Sequence, residues 1–235
     1  MSSMNPLNLT TSASSPPTVV TMPGVAVAAD TTRVLRNTYA LLSLTLLFSA
    51  VVAAASVSMR LPAPGLLITM GVYFGLLFAI HRLQNSGWAL PAVFALTGFM
   101  GYSLGPILSH TLALPGGGQT VALALGATGA TFLGLSAWVL TTRRDFSFMG
   151  GFLFAGMIIA LVAGLAAVFF QIPALSLAVS GMVALLSAGL ILFETSQIVN
   201  GGERNYVLAT VSLYVSVYNL FTSLLALFGF GSSDE

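Results

Sequence analysis

The stretch that decides the fold is LSLAVSGMVALLSAGLILFETSQIV (residues 175–199), then NGGERN (200–205), then YVLATVSLYVSVYNLFTSLLALFGF (206–230). Two apolar runs, each near the ~20 residues needed to cross ~30 Å of hydrocarbon, flank a six-residue turn of Asn, Gly and charge. One carboxylate, Glu194, interrupts the first run. The second carries Ser212, Ser216, Asn219 and Ser223 at spacings of four, three and four, which puts them on one helical face. Tyr214 and Tyr218 lie on an adjacent face. A span with such a stripe does not turn that side to lipid, so it is expected at the centre of a bundle.

The same punctuation recurs upstream. Apolar runs are expected near Tyr39–Met59, Gly65–Ile80, Trp88–Leu108, Thr120–Leu140 and Phe148–Phe170. They are separated by Arg60-Leu61-Pro62-Ala63-Pro64, Gln84-Asn85-Ser86-Gly87, Pro115-Gly116-Gly117-Gly118, Arg143-Arg144-Asp145 and Gln171-Ile172-Pro173. With the first pair this makes seven spans joined by short loops, an all-α polytopic membrane protein over residues 37–230. Composition agrees. Of 235 residues 57% are hydrophobic and 6% charged, whereas a soluble domain carries about 25% charged residues. A water-facing surface cannot be built from so few charges, and the lipid bilayer is the expected solvent.

Met1–Asp30 is rich in Ser, Thr and Pro. Residues 1–36 read as a disordered tail, because such a segment cannot bury enough apolar surface to offset its ordering entropy. The weakly apolar Thr18–Ala29 is broken by Pro23 and lacks a basic leader, so it does not read as a signal peptide. All seven basic residues are arginine. Basic residues concentrate on the cytoplasmic side. A cytoplasmic N-terminus puts Arg33, Arg36, Arg82, Arg143, Arg144 and Arg204 inside and only Arg60 outside. That orientation requires an odd number of spans and places residues 231–235 as a short periplasmic tail.

Several function classes drop out. A net charge of +1 offers no basic face for nucleic acid. The absence of cysteine removes thiol chemistry, and the absence of lysine removes a retinal-type Schiff base. Two histidines at opposite membrane ends, with no H-E-x-x-H helix, argue against zinc or serine proteolysis. No catalytic set, cofactor or metal site is expected, and the chain does not read as an enzyme. No internal repeat of the inverted-transporter kind is visible.

The residues left for chemistry are few. Glu194 sits about 9 Å inside the inner boundary at the helical rise. A carboxylate is expensive there as an anion, so it should face the bundle interior. This makes Glu194 a candidate proton-sensing or ion-pathway residue. By depth its neighbour is Ser212, with Ser216 in reach through helix tilt, and Asn219 continues the stripe. His81 and Arg82 end the second span at a depth from which a long side chain reaches Glu194. His110 reads as interfacial. Small residues four apart, such as Gly71/Gly75, Gly101/Gly105 and Gly126/Ala130/Gly134, read as close helix packing. Gly105-Pro106 frees a backbone carbonyl and bends its helix.

At these residues the chain resembles the Bax inhibitor-1 (TMBIM) family in its bacterial branch. The resemblance rests on Ile191–Ser196 with Ala209–Phe221, on Thr97–Tyr102 with Gly105-Pro106-Ile107, on Leu140–Phe148 and on Val34–Tyr39. It covers Arg33 to the C-terminus. It implies a seven-helix bundle in the bacterial inner membrane with the last helix wrapped by the other six. It also implies association with, and modulation of, an FtsH-type membrane protease. An alternative activity implied by other relatives is a pH-sensitive calcium leak through paired acids on spans six and seven, latched by an arginine near the end of span two. The first acid falls on Glu194, the second on Ser216, and the latch near His81 or Arg82. A glutamate facing a serine cannot titrate as a coupled pair. Calcium also prefers six to eight oxygens, usually with more than one carboxylate.

Overall fold

A computed structural model describes the backbone of residues 23–231 and the side chains of residues 31–230. Its helices are α1 (Pro23–Ser58), α2 (Leu66–Leu83), α3 (Ala89–Ala113), α4 (Gly117–Thr142), α5 (Gly150–Phe170), α6 (Pro173–Val199) and α7 (Tyr206–Gly231). A single 3₁₀ turn, Ser147–Met149, leads into α5. All seven helices are long and apolar enough to cross a membrane, and the chain is a polytopic helical membrane protein.

The expected spans are all present, and the ends differ. α1 starts at Pro23, so residues 23–36, assigned above to the tail, continue the first helix. Proline suits the first helical position, where its missing N–H is not needed, and the alanines that follow are strong helix formers. The expectations for residues 1–22 and 232–235 lie outside the described residues. α3 runs one turn beyond its expected end, to Ala113. α4 begins just after Gly116, whose φ of +71° a side chain would strain.

α7 is the centre. Half of its apolar stretch is buried, against 17% for α5 and 6% for α2. It packs chiefly against α1, α3, α4 and α6. The expected wrapping by all six helices is therefore two-layered, with α2 laid on α3 and α5 laid on α6. The main core joins Leu42 of α1, Ile80 of α2, Val93 and Leu96 of α3, and Leu213 and Tyr214 of α7.

Glycine does two different things here. On α3 a Cβ at Gly101 would collide with the Ser49 backbone, and one at Gly105 with the Ser56 side chain. Their absence lets α1 close on α3. Ser56 Oγ then donates to the Tyr102 carbonyl at 3.1 Å. Tyr102 lies four residues before Pro106, which has no N–H to offer it. The carbonyl freed by the proline is answered by α1, so Gly105-Pro106 serves as a helix–helix joint. Gly71, Gly75, Gly126 and Gly134 have open space where a Cβ would stand, and the close packing expected of them is not found.

Candidate functional site

Glu194 lies on α6, and Ser216 Oγ donates to its Oε2 at 3.0 Å. Ser216 is fully buried, whereas Glu194 is only part-buried. The partner expected nearest in depth was Ser212. Glu194 precedes the end of α6 by about 7 Å of rise and Ser216 follows the start of α7 by about 15 Å, so the two helices are offset by about five residues and the pairing falls one turn deeper on α7. Ser212 is exposed and does not bond to the carboxylate.

The reason Glu194 is not sealed is a cavity of about 270 Å³ beside the α6–α7 turn. Glu194, Gln197, Gly202, Glu203 and Ser212 line it. Glu203 brings a second carboxylate to the same space. In the sequence it reads only as part of a turn, and nothing in its spacing pairs it with Glu194. The turn is well ordered by its own bonds. Asn205 N–H donates to Glu203 Oε1 at 2.7 Å. Asn205 Oδ1 caps α7 by accepting from Val207 N–H at 2.9 Å.

At about the level of the Glu194–Ser216 bond lies a group of tyrosines. Tyr73 of α2 lies near both Glu194 and Tyr218. The Tyr214 and Tyr218 rings stack with centroids 6.3 Å apart. Tyr214 Oη and Ser49 Oγ of α1 share a hydrogen bond of 2.6 Å, and Tyr214 Oη also donates to the Thr97 carbonyl at 3.3 Å. Tyr73 and Ser49 escape a sequence reading because they lie on α2 and α1, and no spacing along the chain links them to α6 and α7. Asn219 is part-buried beside Tyr218 in the chain, and the hydrogen bond that reaches Glu194 comes from Ser216.

The latch expected at His81 and Arg82 is not formed in this structure. Both side chains are exposed at the end of α2, and neither makes a hydrogen bond or ion pair with Glu194. The α2 residue that approaches the acid is Tyr73, a little over two turns deeper. His110 is exposed at the opposite end of the bundle, as an interfacial residue should be.

Two polar straps tie the loops at the Glu194 end. Ser196 Oγ accepts from Phe146 N–H at 2.9 Å and donates to the Arg144 carbonyl at 3.1 Å. Asn200 Nδ2 donates to Ser196 Oγ at 3.2 Å. Across the bundle, Asn205 Nδ2 donates to the Gln84 carbonyl at 3.3 Å and to Asn85 Oδ1 at 3.4 Å. The α2–α3, α4–α5 and α6–α7 loops thereby become one surface carrying Arg82, Arg143, Arg144 and Arg204. In the α4–α5 loop, Asp145 accepts from the Ser147 side chain and from its N–H. Those bonds, the side-chain one first, hold its carboxyl below the usual carboxylate range.

Comparison with known proteins gives this arrangement its relatives. The chain is 53% identical over 205 residues to the "Modulator of FtsH protease YccA" of Escherichia coli K12, covering 87% of this chain and 93% of that protein. It is equally similar to the "Inner membrane protein YccA" of Escherichia coli O6:H1. An uncharacterized protein of Pseudomonas aeruginosa is 52% identical over 211 residues, 90% of this chain and 95% of its own. Residues 31–233 match the family described as "Inhibitor of apoptosis-promoting Bax1". Those residues include most of α1, the whole of α2 to α7 and both sides of the Glu194–Ser216 bond, and the chain belongs to the Bax inhibitor-1 family.

Proposed function

We propose that this protein resides in the inner membrane with its arginine-rich end in the cytoplasm, and that it modulates an FtsH-type membrane protease without catalysis of its own. The observation that carries the reading is the similarity to the modulator YccA, which extends over nearly the whole of both chains. The strapped loops at the Glu194 end fit it, since they offer a rigid surface to a partner. The sequence that precedes α1 is the segment such a protease would engage. The test has two arms. Tagged protein, extracted from membranes, should bring the protease with it. Substrates of the protease should also turn over at a different rate in cells lacking this protein, and equal rates in both strains would end the proposal.

A second reading is a pH-sensitive cation leak centred on Glu194, Ser216, Ser212 and Asn219. Its support is the cavity that reaches Glu194 from the α6–α7 turn and carries a second carboxylate, Glu203. Protons or small cations would enter there. Calcium flux into liposomes at acidic and neutral pH decides it. Glu194→Gln should abolish the pH dependence, and unchanged flux in that variant would remove the residue from the path.

A further inference from the structure

The half of the bundle remote from the arginine-rich end holds a second cavity, of about 610 Å³, bounded by α1, α3, α4 and α7. Its walls are aliphatic and aromatic, with Ala53, Leu104, Leu108 and Phe221 among them. On α1 the lining extends from Leu46 to Ser58, a rise of about 18 Å. One leaflet of a ~30 Å hydrocarbon core is ~15 Å deep, the reach of one acyl chain.

All but one of the hydroxyls on this wall are already engaged. Ser49 bonds to Tyr214, Thr128 Oγ1 donates to the Ala124 carbonyl at 2.7 Å, and Ser58 Oγ donates to the Ala55 carbonyl at 2.9 Å. The remaining one, Tyr218, stacks its ring on Tyr214. A resident water needs two to four polar partners, and this wall offers one hydroxyl, Tyr218, beyond those already bonded. The space is a groove open on one side. Its rim carries Ala54, Leu112 and Leu125, which are exposed, so it communicates with the surrounding lipid.

We propose that this cavity seats one acyl chain of a phospholipid drawn from the leaflet opposite the arginine-rich end. The apolar wall, the length and the lateral opening select a hydrocarbon chain over water or an ion. A seated chain packs beside the Ser49–Tyr214 bond and so supports the closure of α1 on α7.

The test uses the full chain in vesicles of phosphatidylethanolamine and phosphatidylglycerol, with a trace of phosphatidylglycerol carrying a diazirine on one acyl chain. After illumination, adducts on Leu108 and Leu125 should exceed those on the lipid-facing Phe169 and Phe170 severalfold. Gly129→Phe places a ring into the cavity from a position with open space, and should cut the lining adducts severalfold while Phe169 and Phe170 label as before. Ala54→Trp fills the same space from α1 and gives a second reading, with thermal melts confirming that each variant is folded. Equal labelling of lining and lipid-facing positions in the parent protein overturns the proposal, whatever the variants do. So does undiminished lining label in a folded variant. Purified protein that retains an isoprenoid quinone instead of phospholipid, detected by mass spectrometry, overturns it as well.

Discussion

α5 and α7 are both apolar spans of similar length, and the bundle treats them in opposite ways. α5 turns Phe152, Phe154, Ile158, Ile159, Phe169 and Phe170 outward. α7 buries Leu213, Tyr214, Ser216, Leu220 and Ser223. In water the greasier helix would be the hidden one. In lipid no hydrophobic force separates core from surface, so the helix with hydroxyls goes inside, where they find partners, and the plainer helix faces the acyl chains. Burial in this protein therefore follows hydrogen-bonding need more closely than hydropathy.

The largest expected effect separates the two helices directly. Tyr214→Ala removes a fully buried ring, the Ser49 bond and the stack on Tyr218, and should destabilise the bundle by about 3–5 kcal/mol. Phe170→Ala on α5 should stay within about 0.5 kcal/mol. Equal losses in a detergent or bicelle unfolding titration would break the contrast. A smaller effect comes from the glycines. Gly105→Ala forces α1 away from α3 at Ser56 and should cost about 1–3 kcal/mol. Gly71→Ala has open space and should be neutral or stabilising by up to about 1 kcal/mol. Thermal melts of the two variants, compared with the parent, check this.

The smallest effect lies outside the membrane. Asp145 is exposed, and its bonds to Ser147 favour its ionised form. Its support for the α4–α5 loop is full above about pH 4, where an ordinary aspartate is ionised. It fades as the pH falls through the lowered native value. Hydrogen exchange at the Ser147 amide should quicken in acid, and Asp145→Asn should flatten that response. A parent profile already flat in acid would show that the Ser147 bonds do not order the loop.

The helix inventory and the central place of α7 are legible in the sequence, because span length and a polar stripe at helical spacing are one-dimensional patterns. The pairing of Glu194 with Ser216 is legible to within one turn. What lies beyond it depends on distance between separate helices. Tyr73 and Glu203 approach the acid from α2 and from a turn, and no spacing connects them to it. Gly101 and Gly75 look alike in the chain, and only the neighbouring backbone distinguishes a joint from an open face. His81 and Arg82 have the reach for Glu194, but the end of α2 turns them outward.

The Ser56–Tyr102 bond bears on biogenesis. Entering the bilayer alone, α3 would present an unanswered carbonyl to hydrocarbon, a state membranes tolerate poorly. Its donor resides on the helix translated earlier, and chains assemble from the N-terminus during synthesis. The third span thus meets a waiting counterpart as it leaves the translocation machinery. Ser56→Val would strip that welcome and should show itself as slowed maturation of nascent chains before any change in the finished protein.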